Sequence, residues 1–284
     1  MQMRDLVLRG FAAALVGAAG TPLAAQDYTQ HQWPGSIYGF QLANVLPSGQ
    51  PVIPVFEGWY PNPDGTKTLS FSYFNLNYEE TLNIPIGPDN FIEPSQFDGM
   101  QPTHFMAAPD DRGRNNRHES VFTIVVPGDY TETVDWTLRI RGQTYRVRGR
   151  PVSEPYRMDD GESSTSSPVA ATVKLDPNGP AAKGRLGVTH GPLIASVGQP
   201  LPLSVWVDPQ PRSSSIVTWY HHQGPGTVTF SQPEVEIEGA AEVETTATFS
   251  EPGDYLLRVT AIENLSALVQ HCCWTNSYVQ VTVR

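Results

Sequence analysis

Residues 134–150 constrain the fold more than any other segment. Val134, Trp136, Leu138 and Ile140 alternate with Asp135, Thr137, Arg139 and Arg141. After Gly142-Gln143 the alternation resumes, with Tyr145, Val147 and Gly149 set between Thr144, Arg146, Arg148 and Arg150. A period of two belongs to strands with one face buried and the other in water. With Gly142 first in a two-residue turn, the sequence predicts a type II′ hairpin. That register pairs Ile140 with Tyr145, Leu138 with Val147 and Trp136 with Gly149 in the core. On the wet face it sets Arg139 against Arg146, a repulsive pair, with Arg141 opposite Thr144 and Asp135 opposite Arg150.

The rest of the chain repeats this pattern of short strands between turn signals. It contains 24 glycines and 26 prolines among 284 residues, and only 17% of its residues are charged. That balance argues against a helical bundle or coiled coil, and 39% hydrophobic residues argue against general disorder. In the first half, Leu69–Leu76 and Ser120–Val126 read as strands, and Asn62-Pro63-Asp64-Gly65 is a turn. On the first of these, Phe71 and Tyr73 share one face and Phe74 takes the other. In the second half, Leu201–Val207, Ile216–Tyr220, Glu242–Phe249 and Tyr278–Val283 are strand-like. Trp219 falls where immunoglobulin-like domains keep a core tryptophan, and Glu251-Pro252-Gly253-Asp254-Tyr255 reads as a tyrosine corner. The predicted fold is all-β: two antiparallel β-sandwich domains in tandem, the second immunoglobulin-like. The first spans residues 26–157, a Ser-rich linker 158–168 and the second domain 169–284.

Residues 1–25 read as a secretory leader. Arg4 and Arg9 precede the short apolar run Gly10–Gly20, and Leu23-Ala24-Ala25 offers a cleavage site before Gln26. The run is too short to span a bilayer. The expected destination is the periplasm or the cell exterior, with no membrane insertion after cleavage. The chain carries 18 basic and 29 acidic residues, net −11, spread over both halves. That disfavours nucleic acid as a partner.

The segment Thr248–Tyr255 resembles the Ig-like/PKD-like modules of bacterial surface and secreted proteins. The acidic W-D-F-G-D-G segment of PKD modules is absent, which favours the Ig-like label. Phe56–Thr66 together with Phe71–Asn75 is similar to a family of uncharacterised bacterial secreted proteins. This resemblance implies an exported module but transfers no activity.

Three sets of residues carry the candidate chemistry. Arg139, Arg141, Arg146 and Arg148 share the wet face of the hairpin, and guanidinium forks suit carboxylates and phosphates. They form either an anion-binding face, for an acidic polysaccharide, or an ordinary surface with paired acids. Trp59 and Tyr60, next to the turn at Asn62, are the aromatics expected to be exposed for stacking on a ligand, against a core role for the other first-half aromatics. The third set is His271-Cys272-Cys273-Trp274. Adjacent cysteines in an exported chain form a structural vicinal disulfide, remain as thiols, or hold a soft metal with His271, joined by His221 and His222 if their loop lies near. Asp110 and Asp111 sit among three arginines, which opposes a calcium site. No nucleophile-elbow, zincin, P-loop or dinucleotide motif is present. The expected function is a non-catalytic binding or structural module without a cofactor, meeting a polysaccharide or protein partner. The rivals are a metal or redox protein centred on His271, Cys272 and Cys273, and a hydrolase whose carboxylates converge only in three dimensions.

Overall fold

A computed structural model describes residues 46–107, 117–158, 170–210, 213–263 and 273–284. The leader, the Ser-rich linker after residue 158, Asp110, Asp111, His271 and Cys272 lie outside them. The described chain is all-β, with seventeen strands among the described residues and only single 3-10 turns as helix.

In the first half, β1 (Val52–Pro61), β2 (Lys67–Asn75) and β6 (Arg117–Val126) form one antiparallel sheet. A second joins β4 (Asn90–Glu93), β7 (Val134–Ile140) and β8 (Gln143–Gly149), and β3 (Leu82–Asn83) pairs with β5 (His104–Phe105). The core between the sheets is aromatic. Phe71, Phe105, Phe122 and Trp136 are fully buried, with Phe71 stacked on Phe122 at 5.1 Å and Trp136 edge-on to Phe122 at 5.0 Å. Such pairings add to the area that these rings remove from water. Trp136 Nε1 donates to Asn90 Oδ1 at 3.0 Å, so burying the indole leaves no orphaned donor. Phe71 and Tyr73 face this core, while Phe74 lies beneath the Arg117 guanidinium, in accord with the predicted faces.

The hairpin forms as predicted in its faces but not in its register. Ile140 pairs with Gln143, Leu138 with Tyr145, Trp136 with Val147 and Val134 with Gly149. The turn residues are Arg141 and Gly142, with φ of 51° and 77°, a type I′ turn rather than the predicted II′. The displacement is two residues, so each side chain keeps its face and only its partner changes. Arg146 now faces Thr137, and Asp135 faces Arg148, which removes the predicted arginine–arginine clash.

In the second half, β10 (Thr189–Ala195), β17 (Trp274–Val283), β16 (Gly253–Glu263), β12 (Ser214–Gln223) and β14 (Glu234–Glu238) make one sheet. β13 (Val228–Phe230), β15 (Ala241–Phe249), β11 (Leu201–Asp208) and β9 (Thr172–Lys174) make the other. All pairs are antiparallel except β10 with β17. Trp219 is 2% exposed within an aliphatic core from both sheets. The tyrosine corner is present: Tyr255 Oη donates to the Glu251 carbonyl at 2.7 Å.

The two halves meet across a polar seam. A distortion in β6 places Ser120 at a φ of 48°, a left-handed conformation that costs a serine energy. Its amide donates to Glu57 Oε1 at 2.9 Å. Its carbonyl turns to the other half and accepts from Arg258 at 2.9 Å and from Asn276 Nδ2 at 2.8 Å. The Thr103 amide donates to the His222 carbonyl at 2.9 Å. Gln223 Nε2 donates to the Gly99 and Gln101 carbonyls, and His222 Nε2 to the Met100 carbonyl at 2.8 Å.

Candidate functional site

The hairpin's wet face holds the arginines, and each is anchored differently. Asp135, 2% exposed, lies between Arg146 and Arg148 and accepts from both. Arg141 at the turn pairs with Glu80 at 2.6 Å and donates to the Gln50 carbonyl. Arg139 donates to the Pro88 carbonyl at 2.8 Å and lies 5.2 Å above the Phe91 ring. Among the described residues it has no carboxylate within salt-bridge distance. Arg139 and Arg141 line the same open groove of about 510 Å³, with Asn83, Ile84, Ile86 and Asp89 along its walls. Arg146 and Arg148 stand apart from it, about half exposed.

Trp59 and Tyr60 are not the exposed aromatics expected from their place beside a turn: they are 6% and 5% exposed. The cover comes from distant sequence. Trp59 Nε1 donates to the Ser153 carbonyl at 2.9 Å, and the Met158 amide donates to the Trp59 carbonyl at 2.7 Å. Lys67 and Arg157 lie over the indole. This cover requires Gly58: its φ is 151°, and a Cβ there would lie 2.3 Å from the Tyr156 carbonyl oxygen. Tyr60 reaches a second groove, of about 450 Å³, which Asp64 lines from the first half and Lys183 from the second.

The histidines belong to the seam. His221 and His222 lie within β12, not in a loop, and are 4% and 2% exposed. Their side chains take opposite sides: His221 stacks on His104 at 4.2 Å, and His222 meets Tyr278 and the Met100 carbonyl. Burial pushes the imidazoles down, His104 to about 4 and His118, His221 and His222 to about 3. The Arg258 cation adds to the effect at His118 and His222. At neutral pH all four rings are therefore uncharged. Burial also raises the Glu57 carboxyl, but Arg117, Arg185, the Ser70 hydroxyl and the Ser120 amide outweigh it and hold Glu57 below the usual range.

Cys273 is buried and disulfide-bonded, with a φ of 71°. It packs against Ile262 and Trp274. A disulfide sulfur lacks the thiolate charge that a soft metal requires. Cys273 also lies at the far end of the sheet from the histidines. Its carbonyl accepts from Glu263, which pairs with Ser215, whereas His221 pairs with Leu257. His221 lies six residues along β12 from Ser215, roughly 20 Å. The structure thus does not bring Cys273 together with His221 and His222. No cluster of three or more metal-binding side chains occurs among the described residues.

Sequence reasoning missed Arg258. It is 4% exposed, stacks at 4.3 Å on Tyr220 and has no carboxylate in salt-bridge range among the described residues. Its alternating position in Leu256-Leu257-Arg258-Val259 was a readable signal, since an arginine inside an apolar run needs an internal acceptor.

Comparison with known proteins places the second half. The model of the PKD domain matches residues 185–273, so this half carries a PKD-type, Ig-like module although the W-D-F-G-D-G segment is missing. A search of curated proteins finds no match. Among solved structures, the ASH/PapD-like domain of human CEP192 is 8% identical, with 43% of this chain and 90% of that one aligned at a TM-score of 0.31. The periplasmic chaperone SfaE is 15% identical over 32% of this chain and 53% of its own, at 0.25. Domains 4 and 5 of the S-layer protein SbsC are 15% identical over 56% and 68%, at 0.26. No residue's role is carried over from them. No helix among the described residues is long and apolar enough to cross a membrane.

Proposed function

We propose that the chain is an exported, non-catalytic binding module for an acidic polysaccharide, held by the arginine-lined groove of the first half. The leader at residues 1–25 directs it to the periplasm or beyond, and the second, PKD-type half serves as a docking unit joined through the seam. Arg139 is the observation that carries this reading. Its guanidinium lines a groove, is positioned by a carbonyl and an aromatic ring, and has no carboxylate in salt-bridge range among the described residues. A positioned cation of this kind suits a uronate carboxylate, and the neighbouring Arg141, already paired with Glu80 and the Gln50 carbonyl, adds only its remaining guanidinium donors. Arg146 and Arg148, held on Asp135, extend the basic face for a longer polymer. In the same compartment Cys272 and Cys273 form a vicinal disulfide with a structural role.

Affinity electrophoresis tests this reading. The protein should be retarded in gels containing polygalacturonate and not in gels containing dextran. R139Q/R141Q should abolish the retardation. Equal mobility in both gels would overturn the reading.

A further inference from the structure

The first half's groove is basic, but the second half carries a groove of different chemistry. Across the outer face of its four-stranded sheet, Lys174 on β9, Trp206 on β11 and Glu242 on β15 stand in one row, because Trp206 pairs with Lys174 on one side and Glu242 on the other. Asp208 stands two residues along on the same face. Trp206 alternates with the buried Val205 and Val207 and takes no part in the core. Trp59, Trp136, Trp219 and Trp274 are all buried, so Trp206 is the only partly exposed tryptophan among the described residues. An open groove of about 440 Å³ lies over it, walled by Pro177 and Ala240.

The polar groups at this groove are unspent. Lys174, Asp208 and Glu242 form no salt bridge among the described residues, although all three line the same space. An indole face with hydrogen-bonding groups of both signs at its rim fits a ring that is apolar on its face and polar at its edge. A pyranose has that form: its axial C–H groups lie on the indole, while its equatorial hydroxyls reach carboxylates and an ammonium in the ring plane. Two carboxylates against one ammonium leave the groove acidic, which repels the polyanions that suit the arginine groove.

We infer that the Trp206 groove is a second binding site, for a neutral saccharide, separate from the arginine groove. The test is calorimetric titration with cellohexaose, chitohexaose and a proline-rich decapeptide, on the wild-type chain, W206A, D208N/E242Q and R139Q/R141Q. Saturable binding of one hexasaccharide is expected. W206A should weaken it about tenfold, D208N/E242Q should also weaken it, and R139Q/R141Q should leave it unchanged. That last variant separates this site from the first. If W206A fails to fold, as judged by circular dichroism, D208N/E242Q decides alone. No heat with either sugar up to millimolar concentration, sugar binding unchanged in the variants, or binding of the peptide alone would overturn the inference.

Discussion

Lowering the pH from 7 to 5 should loosen the seam between the two halves. His221 and His222 are buried there and His118 is half-buried beside Arg258, all with imidazoles near 3, against an ordinary value of 6.5. A group whose native value is depressed in this way binds protons first in the opened state. The stability it contributes is complete above 6.5 and is lost as the pH falls from 6.5 toward 3. At pH 5 each such histidine favours the opened state by about 2 kcal/mol, and three together by at most about 6 kcal/mol. That is comparable with the whole stability of a typical domain. His104, stacked on His221 and bonded to Asn83, adds in the same direction. Glu263, whose carboxyl is raised by burial, titrates the opposite way but is a single group. Glu57, held below the usual range, begins to count only under about 4.5. Thermal melting between pH 7 and 5, with X-ray scattering at each end, should show a falling midpoint and a growing radius of gyration. H221F isolates one contribution. His221 is packed between the rings of His104 and Tyr255, so an apolar ring there should hold stability at pH 7 and recover about a third of the loss at pH 5. A midpoint and radius that do not change between the two pH values would refute the reasoning.

Other perturbations address single links. W136A should cost about 3–5 kcal/mol in chemical denaturation, since it empties the middle of the aromatic core and strands Asn90. Y255F should cost about 1 kcal/mol through the lost bond to Glu251. G58A should raise the exposure of Trp59, seen as a red-shifted emission, because a methyl group there displaces the 156–158 cover. N276A removes one of the two donors to Ser120 and should lower the thermal midpoint without altering retardation by polygalacturonate.

The faces of the strands were readable from alternation, and the fold class followed from them. The register of the hairpin was not, because it depends on Arg141 accepting a positive φ, which the sequence assigns more naturally to glycine. The tyrosine corner and the core position of Trp219 were legible because local spacing alone determines them. Trp59 was misread because its cover arrives from residues 153–158, almost a hundred positions away, and Tyr60 beside it is buried as well. The seam escaped for the same reason: the oppositely directed carbonyl and amide of Ser120, the carboxylate of Glu57 and the side chains of Arg258 and Asn276 become a network only in three dimensions. Of the candidate site, the four arginines were visible as a stripe. Their different anchoring, and the groove that takes Arg139 and Arg141 but not Arg146 and Arg148, arises from the 83–89 loop packed beside the hairpin.

The most direct test of the binding account is the affinity of the purified exported chain for oligogalacturonate, measured by calorimetry at two salt concentrations. Saturable binding that weakens with salt, and is lost in R139Q/R141Q while the melting curve is unchanged, is the result expected. Equal affinity in the variant, or no binding by the wild-type chain at low salt, would contradict it.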